Sequence, residues 1–349
     1  MNGIKLISTG SAVPKKVVTN DDLAKIVDTN DEWISTRTGI RSRRYCTDGE
    51  SHTSLCLAAA RQALERGGVA PGEIGICLVA TVTPDFLSPA AACLLQKELG
   101  FPEDTICFDL NAACSGFVYA LHTAECLLAS TPRKYGLVLG AEILSRVMDF
   151  GDRSTCVLFG DGAGAALVEW GANYPSLHAV LGCRGNSEVL YVPGVNTAAP
   201  PHVHMDGQSV FRFAVEAVPR CAREVLDRAG LTPEDIDLFV FHQANQRIID
   251  FAVKKLGIDP ATGELAGETA GEQAAQALKN IKHILDAAGT GIEHVCRATI
   301  YMKNVEDFHE IDDVYAQAFI GSVKPARVAF GGNNIPKGAL VEIDAIAVL

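Results

Sequence analysis

The sequence has no apolar run near the roughly 18 residues that a membrane-spanning helix needs, so no membrane partner is expected. Basic residues are also in short supply, and the formal net charge is −12. That balance excludes broad binding to nucleic acid or anionic surfaces, though it allows a local basic patch. The 11 cysteines form no Cys-x-x-Cys pair and no zinc spacing, and most of them (Cys56, Cys77, Cys93, Cys107, Cys126 and Cys156) lie inside apolar runs. They read as reduced thiols of a cytoplasmic protein, not as a disulfide framework. His202 and His204 form an isolated H-x-H without a third ligand, so no metal site is expected. The opening MNGIKLISTG has no charged region ahead of a long apolar core; it reads as a first strand and not as a signal peptide.

What is present is an ordinary globular composition, 48% hydrophobic and 21% charged, in a chain of 349 residues. That length suits two joined halves better than one domain. Arg61–Val79 (RQALERGGVAPGEIGICLV) has a partial copy 162 positions later in Arg223–Phe241 (REVLDRAGLTPEDIDLFVF), where Leu226, Gly230, Pro233 and Ile236 repeat Leu64, Gly68, Pro71 and Ile74. A duplicated helix–turn–strand unit implies two related α/β halves with strand ends facing a shared site. Helices are expected over Asn20–Val27, Ser88–Gly100 and Asn111–Ser130. Strands are expected over Tyr135–Leu139, Cys156–Phe159, Ala165–Trp170 and Asp237–Phe241, with a turn-rich loop at Pro193–Pro201. The FGDGAGA stretch at Phe159–Ala165 imitates a dinucleotide fingerprint, but it runs into a strand where that fingerprint must open a helix. Close backbone packing is the preferred reading.

Cys114 holds the chemically suggestive position. The short apolar run Thr105–Leu110 precedes it, and Phe117, Leu121, Ala124, Leu127 and Leu128 follow at helical spacing. The thiol therefore sits where a strand turns into a helix, whose free N–H groups and dipole favour a thiolate. Ala112, Ala113, Ser115 and Gly116 leave room for a substrate carbonyl. A small buried hydrophobe is the default reading for the other cysteines.

NAACSGF at Asn111–Phe117, DEWISTRTGIR at Asp31–Arg41, TVTPD at Thr81–Asp85, FGDGAGA, and FHQAN at Phe241–Asn245 occur in the order found in β-ketoacyl-acyl-carrier-protein synthase III. The chain resembles that family from residue 1 to about 257. The resemblance implies a thiolase-like fold of duplicated α-β-α layers, with halves at 1–172 and 173–257. It also implies that Cys114 takes an acyl group from acyl-coenzyme A as a thioester, and that His242 stabilises the enolate left when malonyl-carrier protein loses carbon dioxide. It assigns Trp33, Arg37, Arg153 and Asn245 to coenzyme A. Gln243, Ala244, Asn245, Gln246 and Arg247, with Arg212, Lys254 and Lys255, are assigned to the acyl carrier protein, whose acidity suits this basic cluster. Acyl-coenzyme A enters as substrate and no resident cofactor is expected. The family is homodimeric.

Beyond about Gly257 the pattern changes. Asp259–Leu265, a helical stretch Glu272–Ala288, a strand Arg297–Met302, a helix Asp307–Phe319, PAR at Pro325–Arg327 and PKGALVEIDAIAV at Pro336–Val348 resemble the carboxyl-terminal part of the RidA (YjgF) imine-deaminase family. The Gly-Asn-Thr-Ser-Ala-Ala-Ser segment that would supply a condensing enzyme's catalytic asparagine does not follow. Two arrangements are open: residues 258–349 complete the second sheet, or they follow it as a RidA-like α/β lobe. The RidA resemblance assigns Arg327 to a substrate carboxylate and Glu342 to water; a plain ion pair between the two is the structural alternative. The competing functions are therefore a condensing enzyme impaired by the missing asparagine, an imine deaminase, and a non-catalytic fusion that binds coenzyme A or carrier protein.

Overall fold

The computed structural model describes residues 2–194, 197–236, 238–258, 267–321, 324–332, 335 and 339–348. It divides into two compact units, Met1–Leu256 and Gly257–Leu349.

The first unit opens with β1 (Gly3–Ala12), β2 (Lys16–Thr19), α1 (Asn20–Leu23), α2 (Asp31–Thr38), β3 (Ser42–Tyr45) and α3 (His52–Gly67). There follow β4 (Ile74–Ala80), α4 (Ala91–Leu99), β5 (Ile106–Leu110), α5 (Gly116–Leu128), β6 (Tyr135–Ile143) and β7 (Asp161–Gly171). Five of these strands form one sheet in the order β1-β7-β6-β4-β5. Its β6, β4 and β5 are parallel, whereas β7 runs antiparallel to both β6 and β1.

A run of seven apolar or small residues, IGICLVA, makes β4 a strand buried on both faces. Cys77 and Val79 meet α3 and α4 on one side, and Ile76, Leu78 and Ala80 meet α5 on the other. Helices thus cover both faces of the sheet, and each large aliphatic side chain buried there stabilises the fold by roughly 1.5–3 kcal/mol. FGDGAGA leads directly into β7, as expected from close strand packing.

Helix ends follow local chemistry more closely than periodicity. The carboxylate of Asp109 accepts the N–H groups of Ala91 and Ala92 at 2.7 and 2.9 Å. Accordingly α4 starts at Ala91 and not at Ser88. Similarly α1 ends at Leu23, short of the expected Val27. Cys156–Phe159 is not a strand: Cys156 and Val157 lie in a turn, buried against Val18, Leu23, Ile34 and Tyr45.

The rest of the first unit contains the two-residue strands β8 (Leu190–Tyr191) and β9 (His204–Met205), then α6 (Gly207–Ala229) and α7 (Gln246–Leu256). The duplication is visible in its helix end and turn. Gly68 and Gly230 close α3 and α6 with φ of 63° and 68°, a left-handed conformation suited to glycine. Single 3₁₀ turns follow both, at Pro71–Glu73 and Pro233–Asp235. There the correspondence stops. The first copy continues into β4, but residues 238–241 form no strand, with Leu238 73% and Val240 76% exposed; Asp237 lies outside the described residues. The apolar run Leu238–Phe241 does not make a strand by itself, because strand formation needs a partner ladder as well as a pattern.

The second unit holds α8 (Ala270–Ala287), β10 (Val295–Met302), α9 (Phe308–Ala318), β11 (Ala326–Phe330) and β12 (Val341–Ala347). Residues 259–265 and Pro336 lie outside the described residues. The three strands pair with one another in the order β11-β10-β12, β11 parallel and β12 antiparallel to the central strand. Ala298, Ile300, Val341 and Met302 on one sheet face pack with Ala274 and Leu278 of α8 and Ile311 and Tyr315 of α9. Of the two arrangements open to the sequence, these residues adopt the lobe with its own sheet and core. Both sides of β10 are occupied by strands of the same segment. Among the described residues no helix is long and apolar enough to cross a membrane.

Candidate active site

The carboxyl ends of parallel β4, β5 and β6 lie side by side, since Ala80 registers with both Leu110 and Gly140. In α/β sheets this edge is where ligands bind. Cys114 stands there, in the 3₁₀ turn Ala113–Ser115 between β5 and α5. Ala113 has φ of 44°, the one positive φ of a non-glycine residue among those described, and such strain is commonly kept where it serves a site. No side chain caps the amino end of α5. Its first N–H, that of Gly116, already donates to the Ala113 carbonyl, so the helix dipole is what this end offers an anion.

Cys114 is exposed as a residue, but the atoms packed around its sulfur withhold water from the charged form. This desolvation pushes the thiol above its ordinary value, with a bond to its own backbone N–H opposing the rise and Glu142 adding to it. The expectation of a helix-favoured thiolate is therefore corrected, because burial of charge outweighs the local backbone contribution here.

Trp33, Arg37 and Arg153 are brought together. The guanidinium carbons of Arg37 and Arg153 lie over the Trp33 ring at 4.7 and 5.3 Å from its centroid. The first follows from i, i+4 spacing on α2. The second requires the turn after β6, where Arg153 also donates to the Asp28 carbonyl at 2.8 Å. Buried Arg43 anchors this region, donating to Asn20 Oδ1 and the Val157 carbonyl, both at 2.8 Å. The FHQAN helix approaches the same place: Cβ of Gln246 would stand 3.2 Å from a Cβ built on Gly39, the residue that ends α2.

His242 is exposed, and it precedes α7 without the supporting strand expected before it. Desolvation pushes its imidazole below the ordinary value, which favours the neutral form. The amides around it are engaged locally. Asn245 Oδ1 accepts the Arg247 N–H at 2.9 Å, Gln243 Nε2 donates to the Phe241 carbonyl at 2.7 Å, and Gln246 Nε2 to Asp250 at 2.7 Å. Asn245 therefore caps a helix, a role the sequence reading did not give it.

Of the expected basic cluster, Lys255 lines a cavity. Between α6 and α7 lies a cavity of about 320 Å³ lined by Arg220, Arg223, Lys255, Glu216, Pro219 and apolar neighbours. Arg220 and Arg223 were missed, although their i, i+3 spacing on an amphipathic helix was a readable signal. Arg212 instead reaches Ser209 Oγ, at 3.3 Å.

In the second unit the structure separates Arg327 from Glu342. Arg327 registers with buried Ala298 and turns toward α9, pairing with Asp312 and lying 4.9 Å over the Tyr315 ring. Glu342 registers with Tyr301, whose ring stacks on Phe330 on the opposite face of the sheet. The ion pair between the two that the sequence left open is not formed; Arg327 pairs with Asp312 instead.

A sheet covered on both faces by helices, with a cysteine at the mouth of a helix where parallel strands end, defines a thiolase-like condensing enzyme. Residues 108–185 match the family model 3-oxoacyl-[acyl-carrier-protein (ACP)] synthase III, and residues 226–279 match its carboxyl-terminal model. The β-ketoacyl-[acyl-carrier-protein] synthase III of Clostridium acetobutylicum is 45% identical over 268 residues, covering 74% of this chain and 82% of the relative. The crystal structure of 3-oxoacyl-[acyl-carrier-protein] synthase III from Aquifex aeolicus superposes with a TM-score of 0.69 at 42% identity, covering 74% of this chain and 82% of that one. The chain belongs to the β-ketoacyl-acyl-carrier-protein synthase III family. Residues 254–349 match a second model, Endoribonuclease L-PSP, and form the RidA-like segment of the fusion.

Proposed function

We propose that this protein primes fatty-acid synthesis by condensing an acyl group from acyl-coenzyme A with malonyl-carrier protein. The observation that carries the reading is the Arg37–Trp33–Arg153 cluster in a chain whose Cys114 ends the parallel strands. An indole face suits the adenine of coenzyme A, and two guanidinium groups suit its phosphates. With the nucleotide held there, the pantetheine arm delivers the thioester to Cys114. The thiol attacks the carbonyl, its proton departs with coenzyme A as the thiol, and the positive end of the α5 dipole faces the oxyanion.

His242, neutral because of its surroundings, donates a hydrogen bond to the enolate formed when malonyl-carrier protein loses carbon dioxide. The enolate carbon then attacks the acyl-cysteine. Without the asparagine that would complete this hole, condensation is slower by on the order of a hundredfold. Carrier protein docks on Arg212, Arg247, Lys254 and Lys255, and the amides of Gln243 to Gln246 line the approach. The division into halves at 1–172 and 173–257 belongs to this reading. So does a cytoplasmic homodimer, in which the half-buried edge strand β5 is the natural pairing surface.

Radiolabelled acetyl-coenzyme A tests the reading. Covalent label in the native protein that disappears in Cys114→Ala supports it; label retained by that variant removes Cys114 from the chemistry.

A further inference from the structure

Glu142 is a half-buried acid that the reaction above leaves unused. It is the lone acidic residue in the apolar strand β6, two positions beyond the point where that strand registers with Ala80. Its carboxylate faces the loop that leaves β4: Oε1 accepts the Val82 N–H at 2.8 Å, and Oε2 accepts the hydroxyl of Thr81 at 3.3 Å and that of Thr83. Thr83 Oγ1 in turn accepts the Ile143 N–H at 2.8 Å, which closes the link from the loop back to β6.

This braced loop touches the nucleophile's turn from below at two points. The Thr81 N–H donates to the Leu110 carbonyl at 3.1 Å, where β5 ends and the Cys114 turn begins. Ala80 presses against Gly116, so closely that a Cβ on Gly116 would stand 2.9 Å from that of Ala80. The three strand ends and the turn form one interlocked unit, with the carboxylate at its centre.

We propose that Glu142 is a positioning residue for Cys114: its carboxylate locks the Thr81–Val82–Thr83 loop beneath the turn that carries the sulfur. This rests on the proposed role of Cys114 as the acyl acceptor. Burial holds the Glu142 carboxyl above its ordinary value, while its three loop donors pull the other way. The surrounding titratable groups are otherwise committed. On α3, Cys56 is held protonated by burial and His52 is held neutral. Asp109 caps α4, Asp85 pairs with Arg146 at 2.8 Å, and Asp161 accepts the Ser145 and Cys46 N–H groups, both at 2.8 Å. After desolvation, the Glu142 charge adds to what opposes ionisation of the Cys114 sulfur.

The pH dependence of Cys114 alkylation by iodoacetamide, followed by peptide mass spectrometry on the full chain, is the decisive measurement, because it does not depend on which acyl donor the protein uses. Glu142→Gln keeps the size of the side chain and removes the charge, so the alkylation midpoint is expected to fall by about 0.5 pH unit or more. Glu142→Ala, which also releases the loop, is expected to lose on the order of tenfold in single-turnover acylation with little change in half-saturation by acyl-coenzyme A. Glu142→Asp is expected to restore part of that loss. An unchanged midpoint in Glu142→Gln overturns the electrostatic role, and native acylation by Glu142→Ala overturns the positioning role. A native protein that takes no label from acyl-coenzyme A defeats the acylation reading while leaving the alkylation result to stand.

Discussion

Gly116 and Ala80 approach so closely that one added methyl group at residue 116 would stand 2.9 Å from Cβ of Ala80. Backbone dihedrals do not demand glycine there, since its φ is −52°. Space demands it. Gly116→Ala must push α5 away from β4 and move the adjoining sulfur, at a cost of about 1–3 kcal/mol. Single-turnover labelling by acetyl-coenzyme A should fall on the order of tenfold, with the chain still folded by circular dichroism.

Trp33 holds two guanidinium groups over one ring. Trp33→Ala removes the stacking face that Arg37 and Arg153 share. Half-saturation by acyl-coenzyme A should rise roughly tenfold, in keeping with about 1–2 kcal/mol of cation–π and stacking interaction. Alkylation of Cys114 should not change. Loss of both would mean that the indole supports the fold and not the nucleotide.

His52 is buried, with Nε2 3.1 Å from the Ala141 carbonyl and Nδ1 3.7 Å from the Cys56 sulfur. Desolvation lowers its pKa in the folded state. Above pH 6.5, the ordinary histidine value, both states hold it neutral and it adds no pH dependence. As pH falls below that value the unfolded chain gains a proton that the folded one resists, so stability declines by at most roughly 1.4 kcal/mol per pH unit. Urea melts between pH 7 and 5.5 should show a shallower decline in His52→Gln. The comparison with wild type isolates His52 from His242, which contributes with the same sign, and from Glu142, whose raised pKa contributes with the opposite one.

Ile300 is 0% exposed on the central strand of the second unit. Ile300→Ala should destabilise that sheet by about 2–5 kcal/mol. Hydrogen exchange should register the loss in β10 and across β11 and β12, whose amides share ladders with it. Uniform protection despite the substitution would show that its core lies elsewhere.

The sequence made Cys114 legible because strand, turn and helix there are local, and each carries its own periodicity. The Arg37–Trp33 contact was equally local, whereas Arg153 reaches the ring only through the fold. Cys156 and Val157 looked like strand residues because burial was read as extension; in fact a turn presents them to Tyr45 and its neighbours. Arg327 and Glu342 defeated sequence reasoning for a related reason. Side-chain facing alternates along each strand, so which face a residue takes depends on register against β10, and a linear string does not record that register. Glu142 left a usable trace, a single acid closing an apolar strand.

The uncovered run at residues 238–241 has a bearing on the life of the protein in the cell. Leucine, phenylalanine and valine outside any helix or strand, with backbone groups that no ladder satisfies, are what chaperones grip and proteases cut. Among the described residues, that short segment is a place where turnover, clumping at high expression, or rescue by a binding strand would begin.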